Sequence, residues 1–166
     1  MRLKRNYTDK SRVKLDLDDL MGEDVLVRCI EFNPRRRDRI GRLETLSKWA
    51  DITLYDVEKS TNADGDVKIK LGRVEPAMAQ TIKRKLGHLR LKSEIIQVAG
   101  ENYDISSLKI KMPFKQSDGR NLKVLRFDLN DRTFYEESCY IDKPEKTARV
   151  LSRKPGIFVI AEDPIY

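Results

Sequence analysis

A chain of 166 residues with a formal net charge of +7 has room for one hydrophobic core, with or without an arm. Hydrophobic residues make up 39% and charged residues 37%, which leaves too little apolar material for two independent cores. Patterned Ile, Leu, Val and Phe argue against disorder, and no stretch approaches the ~18 apolar residues that span a bilayer.

Residues 1–14 form a basic arm, with Arg2, Lys4, Arg5, Lys10, Arg12 and Lys14 against Asp9 summing to +5. The start is basic but lacks the apolar run of a secretion signal. Residues 15–24 reverse the sign to −5 through Asp16, Asp18, Asp19, Glu23 and Asp24. Residues 15–20 suit a short helical turn or a linking strand. Residues 25–32 are β-branched and apolar, which predicts a strand. Asn33-Pro34 then reads as a helix start, and Ile40, Leu43, Leu46 and Ala50 share one helical face. A ragged Arg35-Arg36-Arg37 start and a regular helix over 39–50 are expected.

Residues 52–58 and 67–71 alternate at period two around a connector dense in turn formers, which predicts a hairpin. Asn62, Asp64 and Asp66 in that connector fit a turn better than a calcium loop, because the glycine is misplaced. Glu75-Pro76 starts a helix with Met78, Ile82, Leu86 and Leu89 as its apolar stripe, and Gly87 marks its end. From Ser93 onward the pattern is mostly β, with strands expected over 94–99, 108–114, 122–129, 133–141 and 157–161. Pro144 is expected to open a short helix running to Ser152.

The expected fold is α+β, with an antiparallel or mixed sheet of roughly six strands, two main helices on one side and a β-rich C-terminal half. Residues 15–166 form one domain, and the composition change near residue 92 is internal to it.

Motifs of phosphate-binding loops, dinucleotide folds, serine elbows and zinc proteases do not occur. Two cysteines, Cys29 and Cys139, and the single His88 are too few for an ordinary zinc site, and both cysteines suit buried reduced thiols. His88, near the end of the basic helix, suits a solvated or helix-capping role. No cofactor, metal, membrane or small-molecule substrate is expected. The one enzymatic arrangement worth weighing is a Mg²⁺-dependent nuclease, with Asp56 on one hairpin arm and Asp66 and Lys68 on the other.

Three sets of cations are candidates for a nucleic-acid backbone or an acidic protein surface: the arm (Arg2, Lys4, Arg5, Lys10, Arg12), an arginine cluster (Arg35, Arg36, Arg37, Arg39, Arg42) and the second helix with its exit (Lys83, Arg84, Lys85, Arg90, Lys92). The competing expectation is that blocks of opposite sign pair within the fold. Residues 67–92 carry +7 and are hardest to cancel, because the remaining 74 residues are neutral. Aromatic residues are 7% and are not interleaved with the basic ones, which argues against stacking on single strands.

The expected function is therefore a non-enzymatic structural or interaction component of a large assembly, virion-like or nucleoprotein. Its partners would be other protein subunits and DNA or RNA, in a cytoplasmic or virion setting. A small nucleic-acid-binding regulatory protein is the alternative. A protein-directed inhibitor or adaptor, and the nuclease, rank below it.

Overall fold

The computed structural model describes residues 6–8, 14–16, 25–33, 35, 39–61, 65 and 67–164. Apolar side chains that alternate with polar ones turn to one face of an extended chain. The chain before the helix forms β1 (Asn6–Thr8), β2 (Lys14–Asp16), β3 (Leu26–Phe32), β4 (Arg39–Leu46), β5 (Asp51–Lys59) and β6 (Lys68–Arg73), and the alternation is plain in β6. One helix follows, α1 (Pro76–Leu86). The rest is again β: β7 (Arg90–Leu91), β8 (Ile96–Glu101), β9 (Tyr103–Asp104), β10 (Ser107–Pro113), β11 (Leu122–Phe127), β12 (Phe134–Glu137), β13 (Cys139–Asp142), β14 (Thr147–Ser152) and β15 (Gly156–Glu162).

The strands form two sheets. The first runs β1-β2-β6-β8-β15-β11-β12, with β7 also on β15; the second runs β13-β14-β10-β5-β4-β3, with β9 on β5. Pairing is antiparallel except between β2 and β6. Both sheets draw strands from either side of residue 92.

The sheets stack face to face. Ile69, Leu71, Ile96, Val98, Phe158 and Ile160 of the first meet Leu43, Leu54, Leu108, Ile110, Met112 and Val150 of the second in one buried cluster. The opposite face of the first sheet carries α1, whose Ile82 and Leu86 pack on Leu125, Phe127, Ile157 and Val159. Strand β15 is thus buried on both faces. Its unbroken apolar run from Ile157 to Ala161 is the composition a doubly covered strand requires.

This architecture corrects the expected α+β fold with two main helices. The described residues contain a single helix and two sheets that are antiparallel apart from the β2–β6 pair. The helix expected over 39–50 is strand β4, and the cause is local. Gly41 and Asp56 lie opposite one another in β4 and β5, and Asp56 takes a left-handed φ of 55°. Alternation breaks there in both strands, so the buried residues stand three apart, Ile40 and Leu43 in one and Leu54 and Val57 in the other. That spacing mimics a helical face. The β3–β4 register also slips between Glu31 and Phe32, as at a β-bulge.

The helix expected from Pro144 is strand β14. Ala148, Val150 and Ser152 turn inward, Arg149 and Leu151 outward, and residues 143–146 form the turn back from β13. The expected hairpin between β5 and β6 is not formed either, since these strands belong to different sheets. The single strand expected over 133–141 divides at Ser138, where the chain passes from the edge of the first sheet to the edge of the second.

Helix α1 follows its sequence signals. Glu75 is extended at the N-cap, Pro76 opens the first turn, and Gly87 at φ 62° ends it by donating to the Arg84 carbonyl. Lys83, Arg84 and Lys85 occupy the last turn, where they complement the negative end of the helix dipole. No helix among the described residues is long and apolar enough to cross a membrane.

Candidate nucleic-acid interface

A cation attracts a polyanion well only where no carboxylate of the protein already neutralises it. The arm cations Arg2, Lys4, Arg5, Lys10 and Arg12 lie outside the described residues, as do Arg36, Arg37 and the connector residues Asn62, Asp64 and Asp66. Arg35 is exposed in the turn after β3. The other candidates divide into two groups.

Arg39, Arg42 and Lys92 serve internal contacts. Arg39 lies 3.6 Å from Asp56 and 3.9 Å from Glu58. Arg42 lies 3.6 Å from Glu31 and donates to Glu44. Lys92 donates to the Gln116 carbonyl at 2.9 Å and stands 4.0 Å from Glu162. For these three, pairing within the fold is what the structure contains.

Lys83, Arg84, Lys85 and Arg90 are exposed on α1 and β7, with no carboxylate of the described residues at ion-pair distance. Arg84 donates only to Thr81 Oγ1, and Lys85 stands 5.9 Å from the Phe127 ring. These four form a cationic ridge on the helix side. His88 follows it, exposed and 3.9 Å from Asp163.

Glu44 shows how internal pairing uses charge. Arg28 Nε donates to it at 2.6 Å, and Arg42 donates to its other oxygen. The hydrogen bonds from Arg42 and then Arg28 hold the Glu44 carboxyl below its ordinary value of 4.5. A lowered folded-state value means the stabilisation is full above the unfolded value and is lost as pH falls through the folded one. Glu44→Gln is expected to cost about 1 kcal/mol at pH 7, below the usual range for charge-assisted bonds because both arginine partners are partly exposed to solvent. Urea melts should show its gap from wild type closing as pH falls below 4.5. A gap unchanged down to pH 3 would refute the pairing.

The nuclease arrangement is not assembled as expected. Asp56 sits on β5 of the second sheet, 3.6 Å from Arg39 and accepting from Ser106 Oγ at 2.8 Å, whereas Lys68 sits on β6 of the first. Among the described residues no group of three His, Cys, Asp or Glu is placed to hold a metal ion. Cys29 is half-buried and Cys139 exposed; both are free thiols, and loss of hydration raises both. The exposure of Cys139 departs from the expected pair of buried thiols.

At one open end of the sandwich, the turns around β9, after β11 and after β14 enclose a cleft of about 540 Å³. Its charges are mixed, with Asp104 and Asp128 against Arg153 and Lys154. Asp128 is already satisfied by the Asn130 and Asp131 backbone N–H groups and by Arg126. The cleft therefore has no surplus charge with which to select a ligand.

Sequence reasoning missed the outer face of the second sheet. Cross-strand register sets Tyr140 beside Arg149 and Arg149 beside Lys111 in one row. The next row places Leu151 beside Lys109 and Lys109 beside Thr53. Tyr140 is 62% and Leu151 53% exposed, around a depression of about 480 Å³ that Lys109, Lys111 and Arg149 also line. Lys109 Nζ stands 5.5 Å from the Tyr55 ring. Outward alternation of Lys109 and Lys111, and of Arg149 and Leu151, is visible in each strand alone, but the strand neighbours are not. This face and the helix ridge lie on opposite sides of the molecule. No known protein-family model and no curated protein matches the chain.

Proposed function

We propose that the protein is a non-enzymatic, nucleic-acid-binding component of a nucleoprotein assembly, working in the cytoplasm or within a particle. The observation that carries this is the ridge of Lys83, Arg84, Lys85 and Arg90, exposed and with no carboxylate of the described residues at ion-pair distance, whereas nearby Lys92 and, on the second sheet, Arg39 and Arg42 are internally paired. Lys and Arg in that state neutralise phosphates and release counterions without reading sequence. A second cationic face on the opposite side suits a component that bridges strands or joins a strand to other subunits.

The test is binding of the purified chain to labelled duplex DNA and to RNA from low to physiological salt. Affinity should fall steeply as salt rises. The Lys83→Ala, Arg84→Ala, Lys85→Ala, Arg90→Ala variant should reduce the slope of log affinity against log salt by about 3, at roughly 0.7–0.9 for each phosphate that is no longer neutralised. An unchanged slope would remove the ridge from the interface. No binding at low salt would sink the nucleic-acid role and leave the cations to protein partners.

A further inference from the structure

We infer that the outer face of the second sheet is a binding site for single-stranded nucleic acid, which rests on the nucleic-acid role proposed above. In the sequence, Tyr55, Lys109, Lys111, Tyr140, Arg149 and Leu151 lie far apart. In the sheet they are neighbours, because β13, β14, β10 and β5 pair in that order. The interleaving of aromatic and basic residues that the linear sequence lacks is created by register.

Charge selects an anion. Lys109, Lys111 and Arg149 have no carboxylate of the described residues at ion-pair distance. Of the acids on the same face, Glu44 is held by Arg28 and Arg42, and Glu31 lies 3.6 Å from Arg42. Asp51, across from Lys111, and Asp142, two residues along β13 from Tyr140, oppose the three cations, and Asp142 also accepts from the Glu145 backbone N–H at 3.1 Å. Two residues along a strand is about 6.7 Å, so Lys109 and Lys111 are spaced much as consecutive phosphates of an extended single strand.

Shape selects the single strand. Reading a duplex groove takes a projecting helix or ribbon, and a pleated face flanked by its own strands projects nothing. Unstacked bases offer apolar faces that a duplex hides. Tyr140, more than half exposed, and Leu151 beside it provide a surface for one base, while the half-buried Tyr55 ring lies under Lys109 Nζ at 5.5 Å.

The experiment measures anisotropy of a labelled oligo(dT) or oligo(U) and of a duplex of equal length, with polyglutamate as competitor. The wild-type chain is compared with Tyr140→Ala, Tyr140→Phe, Lys109→Glu/Lys111→Glu and the helix-ridge variant. Tyr140→Ala is expected to weaken single-strand binding roughly tenfold while leaving duplex binding unchanged, and Tyr140→Phe to retain it. The Lys109/Lys111 variant is expected to lose more and to bind with a shallower salt slope. Tight wild-type binding that neither the Tyr140 nor the Lys109/Lys111 variant weakens would overturn the site while the nucleic-acid role stands. Loss in the charge variant alone, with polyglutamate competing equally well, would overturn it in favour of an acidic protein. If the wild-type chain binds no nucleic acid, the role and the site fall together. These side chains point to solvent, so circular dichroism and urea melts should show every variant folded.

Discussion

Arg126→Ala is expected to destabilise the protein by about 3–5 kcal/mol, because it removes one partner from a buried charge network. Arg126 lies on β11, on the same face as Val124, and is 5% exposed. Its Nε donates to Glu137 Oε1 at 2.6 Å and its Nη1 to Asp128 Oδ2 at 3.1 Å. Its guanidinium lies 4.9 Å from the Tyr135 ring. The second sheet joins through Ser152, whose hydroxyl donates to Glu137 Oε1 at 3.1 Å. Gly156 leaves room for the stem, since a Cβ there would come within 2.8 Å of Arg126 Cγ and of the Phe127 carbonyl. Without the guanidinium, Asp128 keeps its two backbone donors, but Glu137 keeps only the Ser152 hydroxyl. Replacing both Arg126 and Glu137 with Met and Leu should recover much of the loss, because the Glu137 charge is then gone and Asp128 keeps its two backbone donors. Urea denaturation of the two single variants and the double variant gives the coupling directly. A single-variant loss below about 1 kcal/mol would mean that water reaches Glu137 freely.

The sequence and the fold agree where periodicity is undisturbed. β3, β10, β11 and β15 lie close to their expected bounds, and α1 begins at Pro76 and ends before Gly87. They part where a local irregularity changes the period. The three-residue spacing of Ile40 and Leu43 comes from the break at Gly41, which nothing in the linear pattern separates from a helix. They part again where partners must be chosen. Period two identifies β5 and β6 as strands, and adjacency along the chain suggests a hairpin, yet β5 pairs with β10 and β4 while β6 pairs with β8. Long-range pairing is decided by which faces can be buried together, and that information is spread over the whole chain. The candidate sites divide the same way. The helix ridge is legible because Lys83, Arg84 and Lys85 are consecutive and opposed by no nearby acid in sequence. The Tyr140–Arg149–Lys111 row is not, because it exists only across three strands.

Phe158→Ala should have a comparable effect, about 3–5 kcal/mol, and for a different reason. Strand β15 is the hinge between the molecule's two cores. Ile157, Val159 and Ala161 face α1, while Phe158 and Ile160 face the second sheet. Phe158 is wholly buried and sits where β8 and β11 flank it on either side. Truncation removes the largest side chain β15 contributes to the layer between the sheets. The backbone there is fixed by pairing on both sides, so the walls cannot collapse far, and a cavity remains. The expected result is a lower urea midpoint with an unchanged slope, and a thermal midpoint lowered by about 10 °C for a chain of this size. Leu86→Ala, which empties only the helix-side core, should cost about 2–3 kcal/mol, less than Phe158→Ala, because the helix can settle toward the sheet. If Leu86→Ala proved the more damaging of the two, the layer between the sheets would not be the main source of stability, and the sandwich would depend on its helix.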